Sequence, residues 1–172
     1  MTEEDMARDA LAQLLEVARE HELTIGLAES MTAGLAAYLL IDQPGAGDVV
    51  TGSLVTYGTP TKRTLCDYRG PVISRSCAAA MANAACTLLG ADIGLSFTGV
   101  AGPSTQEGHP VGTVFIGVVV QQHTETLELH FSGTPNHVRL AAITAAAECA
   151  RRQILARVNA ATCSRLTRLA SR

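Results

Sequence analysis

The sequence predicts an α/β fold, a single-domain α/β/α sandwich in which helices cover both faces of a mixed β-sheet. Three observations support this class. The chain has 172 residues, a length typical of one domain. Helical and strand-like segments alternate along most of it, as they do in sheets with parallel strands. Two further strand-like segments, 113–121 and 124–131, are joined by a tight turn, which predicts an antiparallel hairpin and therefore a mixed sheet.

The spacing of apolar residues and the capping residues predict where the helices lie. An amphipathic pattern with apolar residues three and four apart covers 3–20. A second helix is expected at 32–41, and a short third helix is expected to begin with Thr59 as N-cap followed by Pro60. A fourth is expected to be capped by Ser74 and to end before Gly90. The last is expected to start at Thr134-Pro135 and to end near Val158. We expect 159–172 to be a flexible tail of the same domain, 1–172.

Polar segments follow three expected strands, 24–28, 51–57 and 92–100. In α/β sheets, ligands bind outside the carboxyl ends of the strands. All three segments that begin at these ends are rich in hydroxyl groups and glycine: Glu29-Ser30-Met31-Thr32, Tyr57-Gly58-Thr59 and Thr98-Gly99-Val100-Ala101-Gly102-Pro103. We therefore expect them to form one common site.

Composition excludes several classes of protein. The net charge is −3, with no basic stripe that would displace phosphate counterions, so we expect no nucleic-acid partner. No apolar run approaches the roughly 20 residues of a membrane span, and the acidic N-terminus is unlike a signal peptide. The five cysteines form no C-x-x-C pair, which predicts neither a disulfide framework nor a metal site. A cytoplasmic protein without a membrane partner is the expectation.

Ser30 lies where an expected strand leads into an expected helix. Main-chain N–H groups point outward at such a junction, and they stabilise an oxyanion if the serine attacks a carbonyl group. Serine is also a favoured N-cap, and the G-x-S-x-G motif of the hydrolase elbow is absent. The residues alone leave both interpretations of Ser30 open, a cap or a nucleophile.

A nucleophilic serine needs a base. Of the five histidines, only His109 falls in a glycine-rich loop, and no acidic residue near it is an obvious partner, so a Ser-His-Asp triad is not favoured. Lys62 is expected in the first turn of a helix, where the dipole and any burial lower its pKa. A neutral lysine can take the proton of a serine hydroxyl. The alternative is an ordinary surface lysine.

The segment FTGVAGPSTQEGHPVGTVFIGV joins two expected strands and is rich in glycine. Glycine lets a main chain approach a ligand closely and present its N–H groups. The segment matches neither G-x-G-x-x-G nor a Walker A loop. Its residues are compatible with an anion-binding loop and equally with a plain connection.

Three ordered motifs, AESMTAG, VTYGTPTK and FTGVAGP…HPVGTVFIGV, resemble those of the CinA C-terminal domain, also known as the PncC or nicotinamide-nucleotide amidase family. The resemblance runs from about residue 7 to residue 158. It implies hydrolysis of the carboxamide of nicotinamide mononucleotide, giving nicotinic acid mononucleotide and ammonia without a metal or other cofactor. Many members are named only for an association with competence or DNA damage. The alternative is a catalytically silent nucleotide-binding or regulatory module with the same fold.

The resemblance also implies residue roles. The family's serine nucleophile corresponds to Ser30, its lysine base to Lys62, and a tyrosine that orients or relays the proton to Tyr57. Oxyanion and substrate-binding positions are implied at Met31, Thr32, Thr98, Gly99 and Gly102. The partner is then a small pyridine nucleotide, and the small faces of the Ala-rich helices favour a homo-oligomer.

The chain departs from the family pattern near these residues. Met31 replaces the usual Cys, Ala33 the first of two glycines, Gly58-Thr59 a Ser-Asn pair, and His109 a Lys. Met31 and Ala33 add bulk beside the nucleophile, and the change at His109 removes a possible phosphate contact. The length leaves no room for the N-terminal domain of longer CinA proteins, so we expect that domain's activity to be absent.

Overall fold

The computed structural model describes the backbone of residues 1–170 and the side chains of residues 1–160. The elements in chain order are α1 (Glu3–Glu20), β1 (Ile25–Glu29), α2 (Leu35–Ile41), β2 (Val50–Val55), α3 (Thr59–Leu65), α4 (Arg75–Leu89), β3 (Ile93–Gly99), β4 (Thr113–Val120), β5 (His123–His130) and α5 (Pro135–Ala170). One turn of 3₁₀ helix, Ala46–Asp48, precedes β2.

The five strands form one sheet in the order β2-β1-β3-β4-β5. β1 pairs in parallel with both β2 and β3, whereas β4 pairs antiparallel with β3 and with β5. The predicted mixed sheet and hairpin are therefore confirmed. Because β1 lies between two parallel neighbours, the carboxyl ends of β1, β2 and β3 meet at one edge of the sheet.

Helices cover both faces, so the predicted α/β/α sandwich is confirmed. α1, α2 and α5 enclose the larger apolar core on one face. α4 and the segment between α3 and α4 pack on the other face, around Met81 and Phe115. Within the described residues, every helix is too short or too polar to cross a lipid bilayer.

Small residues bring α4 against the sheet. A Cβ atom at Gly94 would collide with the carbonyl oxygen of Ala82, and one at Gly117 with that of Ala78. The Ser96 hydroxyl donates a hydrogen bond of 2.6 Å to Ala78 O and accepts one of 3.1 Å from the Gly117 N–H. The alanine-rich face of α4 is thus explained by close contact between the helix and the sheet backbone.

Most predicted bounds agree with the structure to within two residues. Ser74 accepts the N–H of Cys77 at the start of α4, and Gly90 adopts φ 65° after its last residue, as predicted. Two helix starts were predicted wrongly. α2 begins at Leu35 instead of residue 32, and the N-cap of α3 is Gly58 rather than Thr59.

The end of α5 also differs from the prediction, because the helix runs to Ala170 and does not end near Val158. A flexible tail was predicted for 159–172. The structure describes the backbone of this segment to residue 170 and its side chains to residue 160. That assignment stays a prediction, and Cys163 lies outside the described side chains as well.

Candidate active site

A cleft of about 170 Å³ opens at the carboxyl ends of β1, β2 and β3. Seven of the eight predicted site residues line it: Ser30, Met31, Tyr57, Lys62, Thr98, Gly99 and Gly102. The eighth, Thr32, is buried next to the cleft but does not line it. The sequence therefore predicted correctly that the three polar segments come together.

Ser30 is held by the sheet rather than by a helix. Its N–H continues the β1–β3 ladder with a hydrogen bond of 3.0 Å to Phe97 O. Its side chain is buried at 8% exposure, and Ser30 Oγ forms no hydrogen bond within the described part of the chain. The interpretation of Ser30 as a helix cap is wrong, because α2 starts five residues later.

Glu29 does the capping instead. The carboxylate is completely buried. One oxygen accepts the N–H groups of Gly34 and Ala36, and the other accepts the Ala37 N–H and the Ser53 hydroxyl, all at 2.9–3.1 Å. A negative charge at a helix start satisfies N–H groups that have no partner within the helix. Glu29 thereby ties β1, β2 and α2 together directly beside Ser30.

The turn between Ser30 and α2 leaves two main-chain N–H groups open. Ala33 N–H binds Ser30 O at 3.2 Å, and Leu35 N–H binds Thr32 O at 2.9 Å. Among the described residues, neither the N–H of Met31 nor that of Thr32 has an acceptor. These are the two amides that directly follow Ser30, where the sequence predicts an oxyanion site. The Thr32 hydroxyl is buried and without a partner.

Lys62 is buried at 2% exposure. Its Nζ donates a hydrogen bond of 3.1 Å to Tyr57 O, and no carboxylate among the described residues forms an ion pair with it. Burial lowers the pKa of Lys62. The helix dipole predicted from the sequence is not the main cause, since Lys62 lies in the middle of a seven-residue helix.

Two cysteine side chains near Lys62 supply no counter-charge. Burial raises the pKa of Cys77 to about 11 and also raises the pKa of Cys66. Both side chains therefore stay neutral thiols at neutral pH, and the ammonium form of Lys62 gains little from them. The Glu107 carboxylate also acts to raise the pKa of Lys62, but burial has the larger effect, so the pKa stays below its ordinary value.

Tyr57 contacts Lys62 through its main-chain carbonyl group. The side chain is 72% exposed at the mouth of the cleft, and its hydroxyl has no hydrogen-bond partner in the described residues. The proton-relay role implied for the phenol stays a prediction.

The glycine-rich connection after β3 forms another wall of the cleft. The Thr98 hydroxyl donates to Val72 O at 2.7 Å and is therefore already engaged. At Gly99, where φ is 150°, a Cβ atom would collide with Thr113 O and would lie 3.2 Å from Met31 Sδ. The Met31 side chain thus lies against Gly99. His109 packs its ring edge-on against Phe115, with the centroids 5.7 Å apart, and does not line the cleft.

Arg139 of α5 is a site residue that the sequence analysis missed. It lines the cleft, and its Nε donates a hydrogen bond of 2.8 Å to Met31 O. Its guanidinium gives the cleft a permanent positive charge, and no carboxylate is among the lining residues. No local signal marks Arg139, because it lies in a regular helix 108 residues after its partner.

No group of three or more His, Cys, Asp or Glu side chains in the described residues is arranged to hold a metal ion. The site consists of a serine hydroxyl, a buried lysine amine and two open main-chain amides in one cleft. Fold and site together define an α/β/α sandwich protein with a serine-lysine cleft at the carboxyl ends of three parallel strands.

Comparison with known proteins identifies the family. The sequence profile of the CinA C-terminal domain matches residues 7–154, so the chain belongs to this family. The family predicted from the three motifs is thereby confirmed.

Similar proteins carry names that refer to competence and damage. A competence-damage inducible protein of Bacillus pumilus is 40% identical over 131 residues, which cover 73% of this chain and 32% of that protein. One of Lysinibacillus sphaericus is 42% identical over 147 residues, covering 80% and 35%. The chain thus spans about a third of the length of the curated relatives it matches.

The fold agrees with that of solved CinA superfamily structures. A crystal structure of such a protein from Klebsiella pneumoniae superimposes with a TM-score of 0.83 at 25% identity, covering 87% of this chain and 98% of the other. The agreement over nearly the whole of that protein supports the single-sheet architecture described above.

Proposed function

We propose that the cleft hydrolyses a carboxamide, with Ser30 as nucleophile and Lys62 as general base. The proposed substrate is nicotinamide mononucleotide, and the products are nicotinic acid mononucleotide and ammonia. The observation that carries the proposal is the state of Lys62. It is a buried amine with a lowered pKa and no ion-pair partner among the described residues, and it lines the same cleft as the Ser30 hydroxyl.

A buried lysine without a counter-ion destabilises a fold, because burial penalises its charged form. A surface lysine with the same helix propensity would avoid that penalty. General-base catalysis explains the burial, because a lowered pKa increases the fraction of Lys62 that is a neutral amine and can accept a proton. The ordinary surface lysine considered in the sequence analysis does not agree with this burial.

The reaction follows from these groups. Neutral Lys62 takes the proton of Ser30 Oγ while Oγ bonds to the carboxamide carbon. The carbonyl oxygen becomes negative and accepts hydrogen bonds from the N–H groups of Met31 and Thr32. Collapse of this intermediate breaks the carbon–nitrogen bond, and the nitrogen leaves as ammonia with the proton from Lys62. Lys62 then takes a proton from water, and the hydroxide attacks the ester carbon. The bond to Ser30 Oγ breaks, Lys62 returns its proton to Oγ, and nicotinic acid mononucleotide leaves.

The choice of nucleotide rests on the family resemblance and on charge. The Arg139 guanidinium makes the cleft cationic even while Lys62 is neutral, and the lining contains no carboxylate. A site of this sign favours an anionic substrate over a neutral amide of the same size. The phosphate of a nicotinamide nucleotide supplies that negative charge.

Release of ammonia from nicotinamide mononucleotide tests the proposal. We expect turnover by the wild type and a loss of more than about 10³-fold in kcat for Ser30→Ala. Thr87→Ala is the control, because it removes a hydroxyl that binds Asn83 O in α4, away from the cleft. A Ser30→Ala variant as active as the wild type would contradict the assignment of the nucleophile.

One observation favours a second candidate, a nucleotide-binding or regulatory module without turnover. Lys62 Nζ binds Tyr57 O, and no hydrogen bond joins it to Ser30 Oγ in the described chain. Calorimetric binding of the nucleotide by wild type without any ammonia release would support this candidate. The cytoplasmic location and the homo-oligomeric state remain proposals, which fractionation and light scattering of the purified protein would test.

A further inference from the structure

Arg139 of α5 forms a side-chain hydrogen bond to the turn after Ser30. Its Nε–H donates to Met31 O at 2.8 Å. The remaining N–H groups of its guanidinium have no acceptor in the described part of the chain, and no carboxylate there pairs with it. Within the described residues, the only hydrogen bond of the Arg139 side chain is therefore the one to the Met31 carbonyl oxygen.

A peptide unit transmits the effect of this bond. The Met31 carbonyl and the Thr32 N–H belong to one planar trans peptide and point in opposite directions. Fixing the oxygen therefore also fixes the direction of the Thr32 N–H, which has no acceptor of its own. The turn needs such a restraint, because Ala33 is held at φ 51° and Gly34 at φ 100°, outside regular structure.

We propose that Arg139 is a positioning residue for the reaction. Its bond to Met31 O holds the peptide between Met31 and Thr32 so that the open Thr32 N–H keeps the orientation an oxyanion requires. The inference rests on the proposed function of this cleft. An oxyanion exists only in the transition state and the intermediate, so the loss of Arg139 acts on kcat more than on KM.

Two substitutions of Arg139 distinguish a positioning role from an effect of its positive charge alone. Arg139→Met removes both the donor and the charge, whereas Arg139→Lys keeps the charge but has no planar Nε–H group. Positioning predicts that both variants lose about 10- to 100-fold in kcat, and that Arg139→Lys, which keeps the charge, changes KM less than about 3-fold. If only charge matters, Arg139→Lys stays near wild type and Arg139→Met raises KM, and that result would overturn the proposal.

Arg75→Met is the matched control. Arg75 also donates to a main-chain carbonyl oxygen, that of Thr126, at 2.9 Å, but does so between α4 and β5. We expect Arg75→Met to keep the wild-type kcat. Added ethylguanidinium should restore part of the kcat of Arg139→Ala and none of that of Ser30→Ala, because it replaces the missing donor alone. If ethylguanidinium restores no activity and the Arg139→Ala variant also loses folded protein, Arg139 has a structural role and the proposal is overturned.

A measurement without substrate distinguishes failure of this proposal from failure of the proposed function. In ¹⁵N relaxation experiments, the Thr32 amide should gain motion in Arg139→Met and stay rigid in Arg75→Met. If the wild type releases no ammonia but the amide gains motion in Arg139→Met, the restraint of the turn by Arg139 is supported and the deamidase assignment is wrong. If the wild type is active and Arg139→Met changes neither kcat nor amide motion, the positioning role of Arg139 is wrong and the deamidase assignment is unaffected.

Discussion

Lys62 and Tyr57 are joined by a hydrogen bond of 3.1 Å from Nζ to the Tyr57 carbonyl oxygen. This bond holds the amine at the end of β2, beside the strand end that carries Ser30. A carbonyl group accepts a hydrogen bond from an ammonium or from a neutral amine, so the contact places Lys62 without fixing its charge. Burial then decides the charge, and it lowers the pKa of Lys62.

Activity should depend on the protonation of Lys62. The neutral base dominates only above the pKa of the folded state, which burial places below its ordinary value of about 10.5. We expect kcat/KM to rise with pH through that lowered pKa and then to level off. The measurement is kcat/KM between pH 5 and pH 10 on buffers of constant ionic strength. A profile that stays flat over this range would contradict a role for Lys62 as base.

Replacement of Lys62 by Met should remove activity and increase stability. Between the folded and unfolded pKa values of Lys62, the unfolded chain carries one more proton than the folded one, so the wild type gains stability as pH rises through this window. Below the folded pKa the full penalty of burying the charge remains. Lys62→Met removes that penalty, and its advantage should be largest below the folded pKa and should decrease as pH rises toward the ordinary value of about 10.5. Urea unfolding at several pH values checks this, and a less stable Lys62→Met at neutral pH would contradict it.

Local signals in the sequence explain which parts of the fold could be predicted. Ser74 and Gly90 lie next to the helix that they bound, so a pattern of neighbouring residues was enough. The start of α2 was missed because its N–H groups bind Glu29, a residue of the preceding strand. A carboxylate six residues before the first residue of the helix matches no capping pattern.

The candidate site was predictable where its residues follow strands. Ser30 and Lys62 come after β1 and β2, and Gly99 is the last residue of β3; the carboxyl ends of these three strands meet at one edge of the sheet. Arg139 comes from α5 and reaches the site only through the packing of that helix on the sheet. Such a contact depends on tertiary structure, so no pattern in the sequence around Arg139 predicts it.

Glu29→Gln should destabilise the protein by about 2–4 kcal/mol, because an amide nitrogen cannot accept the hydrogen bonds that one carboxylate oxygen accepts. Either the Gly34 and Ala36 N–H groups or the Ala37 N–H and Ser53 hydroxyl lose their acceptor. The midpoint of urea unfolding measures this loss. Asp42→Asn is the control, since its exposed pair with Arg8 contributes at most about 1 kcal/mol. Equal effects of the two substitutions would show that Glu29 is not the cap.

Ala33→Gly should stabilise the protein by about 0.5–1 kcal/mol. Ala33 is exposed and adopts φ 51°, in the left-handed region, which costs a residue with a Cβ about 1–2 kcal/mol. Glycine avoids this cost but has more backbone entropy in the unfolded chain, so the net gain is smaller. Ala37→Gly, inside α2, should have the opposite sign and cost about 1 kcal/mol. Thermal unfolding of both variants gives the comparison, and a destabilised Ala33→Gly would contradict the assigned turn.

Met31→Cys should widen the cleft beside the nucleophile. The Met31 side chain is 5% exposed and lies against Gly99, so shortening it opens space where the amide nitrogen of a carboxamide would leave. One methylene in an apolar pocket changes discrimination by about 10–200-fold. We expect the ratio of kcat/KM for the N-methylcarboxamide nucleotide to kcat/KM for the unsubstituted nucleotide to rise at least about 10-fold. Met81→Cys, at a fully buried position of α4 that does not line the cleft, should lose stability without changing that ratio. An equal change of the ratio in both variants would mean that core loosening, rather than the bulk of Met31, sets the substrate preference.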